Sequence, residues 1–193
     1  AREGVSTRGI TTDPQRLTSL VLLAVESDKA FPLIFYRDNC ADSALDESDV
    51  DEDFIKQASA LLVTGTHFAR ANTDAAQRKA MRLAEKFGRK VVIDIDYRPN
   101  LWGLAGHGAG EERYIKSDKV SQHLQSILAD CDLIVGTEEE VHIAGGTVSA
   151  GSGTHLALSD PGQPGFHIIA AVTQKPNGRL ARRIPSSPTR KSA

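Results

Sequence analysis

The sequence predicts a layered α/β fold with a parallel central sheet. Three observations point there. Short apolar runs alternate with helical patterns from about residue 54 to residue 144, the signature of βαβ units. Three of the runs end in polar groups: Gly65-Thr66-His67, Asp94 to Asn100, and Gly136-Thr137-Glu138-Glu139. In a parallel sheet all three ends share one edge, and open α/β sheets bind ligands outside the carboxyl ends of their strands.

The elements follow in chain order. Leu20–Val25 and Pro32–Arg37 are apolar runs joined by the polar stretch Glu26 to Phe31, which reads as a β-hairpin with Pro32 opening its second strand. The acidic stretch Asp42 to Asp53 reads as solvated surface and a helix start, its acids near the positive end of the dipole. Phe54–Ala60 is a short helix and Ala60–Thr64 a strand. Thr73–Phe87 is a helix with Ala76, Ala80, Leu83 and Ala84 on one face and Gly88 at its C-cap. Val91–Asp94 is a β-branched strand. Ser117–Leu128 is a helix with Val120, Leu124, Ile127 and Leu128 on one stripe. Asp132–Val135 is a strand, and Glu138–Ala144 a helix with acids in its first turn and Gly145 behind it.

The stretch from Val91 to Trp102 is the most informative. A buried strand runs into two carboxylates, Asp94 and Asp96, then Arg98 and Pro99. Proline biases the residue before it away from helix, so these groups stay at the strand end. That layout suits an anionic or polyhydroxyl small molecule.

Composition bounds the rest. The 193 residues suffice for one ordinary domain. No apolar run approaches the roughly 18–20 residues a membrane span needs, and the N-terminus does not read as a signal peptide. Cys40 and Cys131 form no C-x-x-C, so a reducing cytoplasm is the expected location. A net charge of −2 gives no reason to expect nucleic acid or membrane as a partner. The charge is uneven, however. Residues 1–146 hold 17 Lys/Arg against 24 Asp/Glu, whereas residues 147–193 hold 6 Lys/Arg and only Asp160. The second segment is also rich in Gly, Pro and Ser.

Four blocks in order carry a resemblance: Phe31-Pro-Leu-Ile-Phe-Tyr-Arg-Asp-Asn-Cys-Ala-Asp, Leu61-Leu-Val-Thr-Gly-Thr-His-Phe, Val92-Ile-Asp-Ile-Asp-Tyr-Arg-Pro-Asn-Leu-Trp-Gly and Leu133-Ile-Val-Gly-Thr-Glu-Glu-Glu. Through them, residues from about Thr12 to Gly146 resemble the middle of the ribokinase-like, or PfkB, carbohydrate kinases. The resemblance implies a ribokinase-like layered fold with a small β-lid at residues 20–37, incomplete at both ends. It implies ATP and Mg²⁺ as cofactors. The reaction it implies is phosphorylation of a sugar acid, 5-dehydro-2-deoxy-D-gluconate, at a primary hydroxyl in myo-inositol catabolism. A 2-keto-3-deoxygluconate kinase, another PfkB sugar kinase and a non-catalytic sugar-binding fragment are the alternatives. A homodimer through the β-lid is also implied.

Residue by residue, Arg37 aligns with the lid arginine that meets the sugar acid, with Tyr36 beside it; a guanidinium offers a carboxylate a planar fork. Arg98 aligns with an arginine near the substrate and the transferring phosphate, where a cation offsets developing charge. It could equally form a structural salt bridge to Asp94 or Asp96. Tyr36, Arg37, Asp96 and Arg98 are therefore the substrate-binding candidates, and Arg98 the catalytic one. Glu139 aligns with the glutamate of an Asn-x-x-Glu motif that helps hold Mg²⁺ and phosphate, although the Asn position reads Gly136. Thr137 and Glu139 are the cofactor-binding candidates, with Glu139 on the metal. His67 either borders the substrate cleft or hydrogen-bonds at a strand end, the second being favoured.

The family's Gly-Ala-Gly-Asp motif, which supplies an anion hole and the catalytic aspartate, is not found; Gly108-Ala109-Gly110-Glu111 lies in a polar loop and carries Glu for Asp. The expectation is thus a central kinase stretch over 1–146 followed by an atypical basic tail over 147–193. A frameshift after about Gly146 is one account of that tail and a divergent C-terminus the other. Only Phe166–Val172 there has strand character. The expected physical consequence is exposed apolar sheet surface and a marginally stable chain that aggregates readily.

Overall fold

The computed structural model describes residues 2–26, 33–106 and 114–146, together with the backbone of a two-residue strand at 167–168. Pro32 and the Gly108–Glu111 stretch lie outside the described residues, as does the rest of the segment after Gly146. Two sheets are present among the described residues: an antiparallel hairpin of β1 (Leu20–Leu23) and β2 (Leu33–Tyr36), and a parallel sheet of four strands. The second sheet runs in the order β3 (Ala60–Thr64), β4 (Lys90–Asp94), β5 (Leu133–Val135) and β6 (His167–Ile168).

The alternation of strand and helix holds. Helix α1 (Glu52–Gln57) precedes β3, α2 (Ala71–Lys86) joins β3 to β4, and α3 (Asp118–Leu128) joins β4 to β5. Helix α4 (Glu138–Gly145) follows β5. The strands add sequentially in one direction, so right-handed crossovers lay the connecting helices on one face of the sheet. The core forms there: Val63, Val91, Ile93 and Ile134 from the strands meet Ala80, Ala84, Leu124, Ile127, Val141 and Ala144 from the helices. Each large apolar side chain so buried contributes about 1.5–3 kcal/mol. The opposite strand face is open at Leu62, which is 68% exposed.

Local chemistry explains the boundaries. Ser117 caps α3 by accepting the Val120 amide, and Asp51 caps α1 by accepting the Phe54 amide. The expected apolar stripe of α3 is buried throughout. Helix α2 starts two residues earlier than its pattern indicates, at Ala71. Helix α4 runs one residue further than expected, since Gly146 rather than Gly145 takes the left-handed conformation (φ +71°) that ends it. Within the acidic stretch, 3₁₀ turns at Ala41–Ala44 and Glu47–Asp49 precede α1, the second closed by a capping box from Asp46. Within the Phe166–Val172 run, His167–Ile168 form β6, pairing Leu133 with His167 and Ile134 with Ile168; the rest of that run lies outside the described residues.

Candidate functional site

The parallel register sets the site. Thr64 pairs with Asp94, and Asp94 with Val135, so β3, β4 and β5 end level. A 3₁₀ turn at Gly65–Ala69 caps β3. The segment after β4 keeps its in–out alternation as far as Pro99: Ile95, Tyr97 and Pro99 point inward while Asp96 and Arg98 are half-buried. Tyr97 is 1% exposed and its hydroxyl donates to the Ile115 carbonyl. Burial pushes that phenol up to about 12, so it stays protonated and serves as a fixed anchor for the segment.

Arg98 is held on three sides. Its Nη2 pairs with Asp96 at 2.5 Å, and its Nη1 donates to the Tyr97 carbonyl at 2.9 Å and meets Glu140 Oε1 at 3.5 Å. The salt bridge open to it in sequence is thus made to Asp96. Asp96 itself has φ +32°. A non-glycine residue held there costs on the order of 1–3 kcal/mol and persists only where its surroundings fix it.

Glu140 does the fixing from the neighbouring strand end. It is 5% exposed. Its Oε1 accepts the Tyr97 amide at 2.9 Å and its Oε2 the Thr137 amide at 2.8 Å, while its own amide donates to Thr137 Oγ1 at 3.3 Å. This is a capping box at the start of α4. Of the residues singled out in sequence, Thr137 is therefore the helix cap, and Glu139 is exposed on the outer side of the first turn. Glu140, the carboxylate that reaches Arg98, was not singled out, although Thr-x-x-Glu before an apolar run signals it.

A second cluster lies where the hairpin meets the β3 end. Arg37, Asp42, Ser43, Thr66, His67, Arg70 and Leu101 are among the residues lining a small cleft open to solvent. Arg37 and Asp42 form an ion pair, and His67 Nε2 lies 4.0 Å from the same carboxylate oxygen. Asn39, at φ +50°, turns the chain so that Arg37 and Asp42 face each other; asparagine tolerates that conformation better than most residues. Tyr36 is 56% exposed at the end of β2 and does not line the cleft. His67 lines this cleft, and its Nδ1 sits 3.5 Å from Thr66 Oγ1 beside the end of β3.

Charges in the cleft are tuned. Burial works to raise the Asp42 carboxyl, but the Arg37 guanidinium, the Ser19 hydroxyl and His67 together hold it below its ordinary 3.8. Burial and the Arg37 charge push His67 below its ordinary 6.5, against the opposing pull of Asp42 and Asp96. The influence of Asp96 on His67 ties the two clusters into one sheet edge. Because the folded imidazole refuses a proton that the unfolded one accepts, His67 stabilises the fold fully above pH 6.5. That contribution declines as pH falls toward the folded value. Urea midpoints at pH 7.5, 6.5 and 5.5 are expected to drop across this window, and less steeply in His67→Gln. An equal slope in both proteins would remove His67 as the cause.

Among the described residues there is no cluster of three His, Cys, Asp or Glu suited to a metal ion. Glu139 exposes its carboxylate at the start of α4, and Mg²⁺ takes one or two protein carboxylates while keeping most of its waters. No helix among the described residues is long and apolar enough to cross a membrane.

Comparison with known proteins agrees with this layout. A 5-dehydro-2-deoxygluconokinase from Geobacillus kaustophilus is 34% identical over 138 residues, which is 71% of this chain and 38% of the relative. One from Mesomycoplasma hyopneumoniae is 37% identical over 117 residues, 61% of this chain and 31% of the relative. The chain is a homologue of the 5-dehydro-2-deoxygluconokinases. It spans less than two fifths of the length of these relatives. No protein-family model matches it. Among solved structures, a PfkB protein from Polaromonas sp. JS666 superposes with a TM-score of 0.62 at 24% identity, covering 77% of this chain and 46% of that one. A candidate ribokinase II from E. coli, in complex with ATP and Mg²⁺, gives 0.58 at 19% identity over 74% and 41% of the two chains. The 2-dehydro-3-deoxygluconokinase of Thermotoga maritima gives 0.57 at 17% identity over 69% and 37%. The fold is ribokinase-like.

Proposed function

We propose that the chain is the central, substrate-facing stretch of a cytoplasmic carbohydrate kinase. Its reaction is ATP-dependent phosphorylation of a sugar acid, 5-dehydro-2-deoxy-D-gluconate, at a primary hydroxyl in myo-inositol catabolism. The observation that carries this reading is a polar cleft with two arginines at the carboxyl edge of a parallel sheet, in a chain homologous to kinases of that name. The deoxygluconokinase neighbour favours 2-dehydro-3-deoxygluconate as the second substrate to test.

In this reading Arg37, Asp96 and the cleft hydroxyls orient the sugar acid. Arg98, fixed by Asp96 and Glu140, presents its remaining donors to the transferring phosphoryl oxygens. Glu139 and the amides at the start of α4 face the nucleotide, and Mg²⁺ bound with ATP would neutralise charge on its phosphates. Tyr36 and the exposed apolar side chains Leu20, Val21, Leu22 and Leu23 make the hairpin a surface for a second copy of the chain.

The sequence holds no Gly-Ala-Gly-Asp, so the 193-residue chain is expected to bind a sugar acid without turning it over. Thermal unfolding with each acid at about one hundred times its dissociation constant should show stabilisation of about 2.7 kcal/mol. An ADP-release assay with ATP and Mg²⁺ should stay at background. ADP release would overturn the non-catalytic reading, and absence of stabilisation by either acid would overturn the substrate. Sedimentation velocity at two concentrations tests the dimer, which a concentration-independent monomer would exclude.

A further inference from the structure

The resemblance assigns carboxylate recognition to Arg37, but Arg37 already has a carboxylate partner within the chain. Its Nη2 is paired with Asp42, and the Arg37 side chain is only 18% exposed. A ligand carboxylate arriving there would compete with an internal one at far higher effective concentration. The cleft contains a second arginine, Arg70. It is exposed, and among the described residues its guanidinium has no ion pair. It follows the 3₁₀ turn that carries Thr66 and His67, and it is the residue before α2. Its main chain is pinned: the Arg70 carbonyl accepts from Thr73 Oγ1 at 3.2 Å and from the Asp74 amide at 2.8 Å. Thr73 Oγ1 also donates to the His67 carbonyl. The backbone that carries this cation is thus rigid, while the cation itself is uncompensated.

We propose that Arg70, not Arg37, selects for an anionic sugar by meeting the ligand's carboxylate, and that Asp42 holds Arg37 as a neutral pair that presents its remaining donors to ligand hydroxyls. The inference rests on the sugar-acid reading given above and names the charge that serves it. Neutral His67 fits the arrangement, because it adds a hydrogen-bonding group to the cleft without adding charge. With Arg37 and Asp42 cancelling, the cleft keeps one net positive charge for one negative ligand. Asp42 then acts as a discriminator: it blocks Arg37 from binding anions that lack the hydroxyls the pair would bind.

The test uses the full chain, with ligand-detected NMR titrations of 5-dehydro-2-deoxy-D-gluconate, D-gluconate and neutral D-glucose at low salt. Arg70→Ala is expected to weaken acid binding roughly tenfold, leave the glucose titration within about twofold, and be partly rescued in Arg70→Lys, which keeps the charge but loses the fork. Asp42→Asn is expected to strengthen acid binding by freeing Arg37. The Arg70 side chain caps nothing, so its variants should fold as the parent does, checked by circular dichroism. If 5-dehydro-2-deoxy-D-gluconate binds the parent and Arg70→Ala alike, the inference falls while the substrate stands. If D-gluconate binding depends on Arg70 but the dehydro acid does not bind, the inference stands and the named substrate falls. If neither acid binds the parent, both fall.

Discussion

Gly65→Ala is expected to prevent this chain from folding stably. A Cβ built on Gly65 would sit 1.9 Å from the Ile95 carbonyl oxygen and 2.9 Å from its carbonyl carbon. Both are backbone atoms, so no rotamer change relieves the clash. The Ile95 amide is itself tied to the Val135 carbonyl at 2.8 Å, which prevents the β4 end from swinging away without breaking from β5. The β3 end must therefore lift instead, pulling on the Gly65–Ala69 turn and on Thr64, whose amide and carbonyl are both held by the Gln77 side chain. Overpacking of this kind costs about 1–3 kcal/mol where neighbours can adjust, and more where they cannot. We expect roughly 3 kcal/mol or more, a large part of the 5–15 kcal/mol that holds an ordinary domain together. Gly88→Ala is the control. It has open space around it but φ +64°, so it should cost only about 1–2 kcal/mol. Urea midpoints for the two variants separate close approach from backbone conformation. A Gly65→Ala protein as stable as Gly88→Ala would mean that the two strand ends are not packed as described.

That close approach shows what the sequence conveyed and what it did not. Strands and helices were legible wherever an apolar period ran long enough: α2, α3, β3 and β4 all lie within about two residues of their expected positions. The edge on which the polar groups gather was legible too, because parallel strands must end together. The pairings on that edge were not. Arg37 meets Asp42 only because Asn39 takes a left-handed turn, and no local period reports a single dihedral. The Gly65–Ala69 turn is too short for a pattern, as 3₁₀ segments commonly are. Asp96 could be assigned to the site but not to φ +32°, since tertiary contacts rather than propensity hold it there. Glu139 is named by its resemblance to a motif, whereas Glu140 beside it makes the main-chain contacts. The capping-box spacing from Thr137 was the physical signal that distinguishes the two, and it was available in the sequence.

Glu140→Ala is the second substitution with a large expected effect. The carboxylate is 5% exposed and accepts two main-chain amides from different parts of the chain, Tyr97 and Thr137. Alanine would leave both amides without their acceptor and would remove one of the two carboxylates on Arg98. Hydrogen bonds to charged groups are each worth about 1.5–3 kcal/mol, and a buried donor left unpaired costs about 1–3 kcal/mol. These overlap rather than add, so we expect a loss of roughly 3 kcal/mol. Glu140→Gln should lose less, because its one amide oxygen can still accept from a single N–H while its NH₂ opposes the other. Glu139→Ala, by contrast, changes an exposed side chain and should stay within about 0.5 kcal/mol of the parent. Equilibrium urea unfolding of the three variants gives the comparison. If Glu139→Ala were the damaging one and Glu140→Ala neutral, α4 would have to be rotated by one residue. Arg98 would then owe its position to Asp96 alone. In the order expected here, Glu140 joins the end of β5 to the end of β4, so that the segment carrying Asp96 and Arg98 keeps its shape before any ligand arrives. A site fixed in advance loses less entropy on binding, and it is this buried glutamate, rather than the exposed one beside it, that supplies the rigidity.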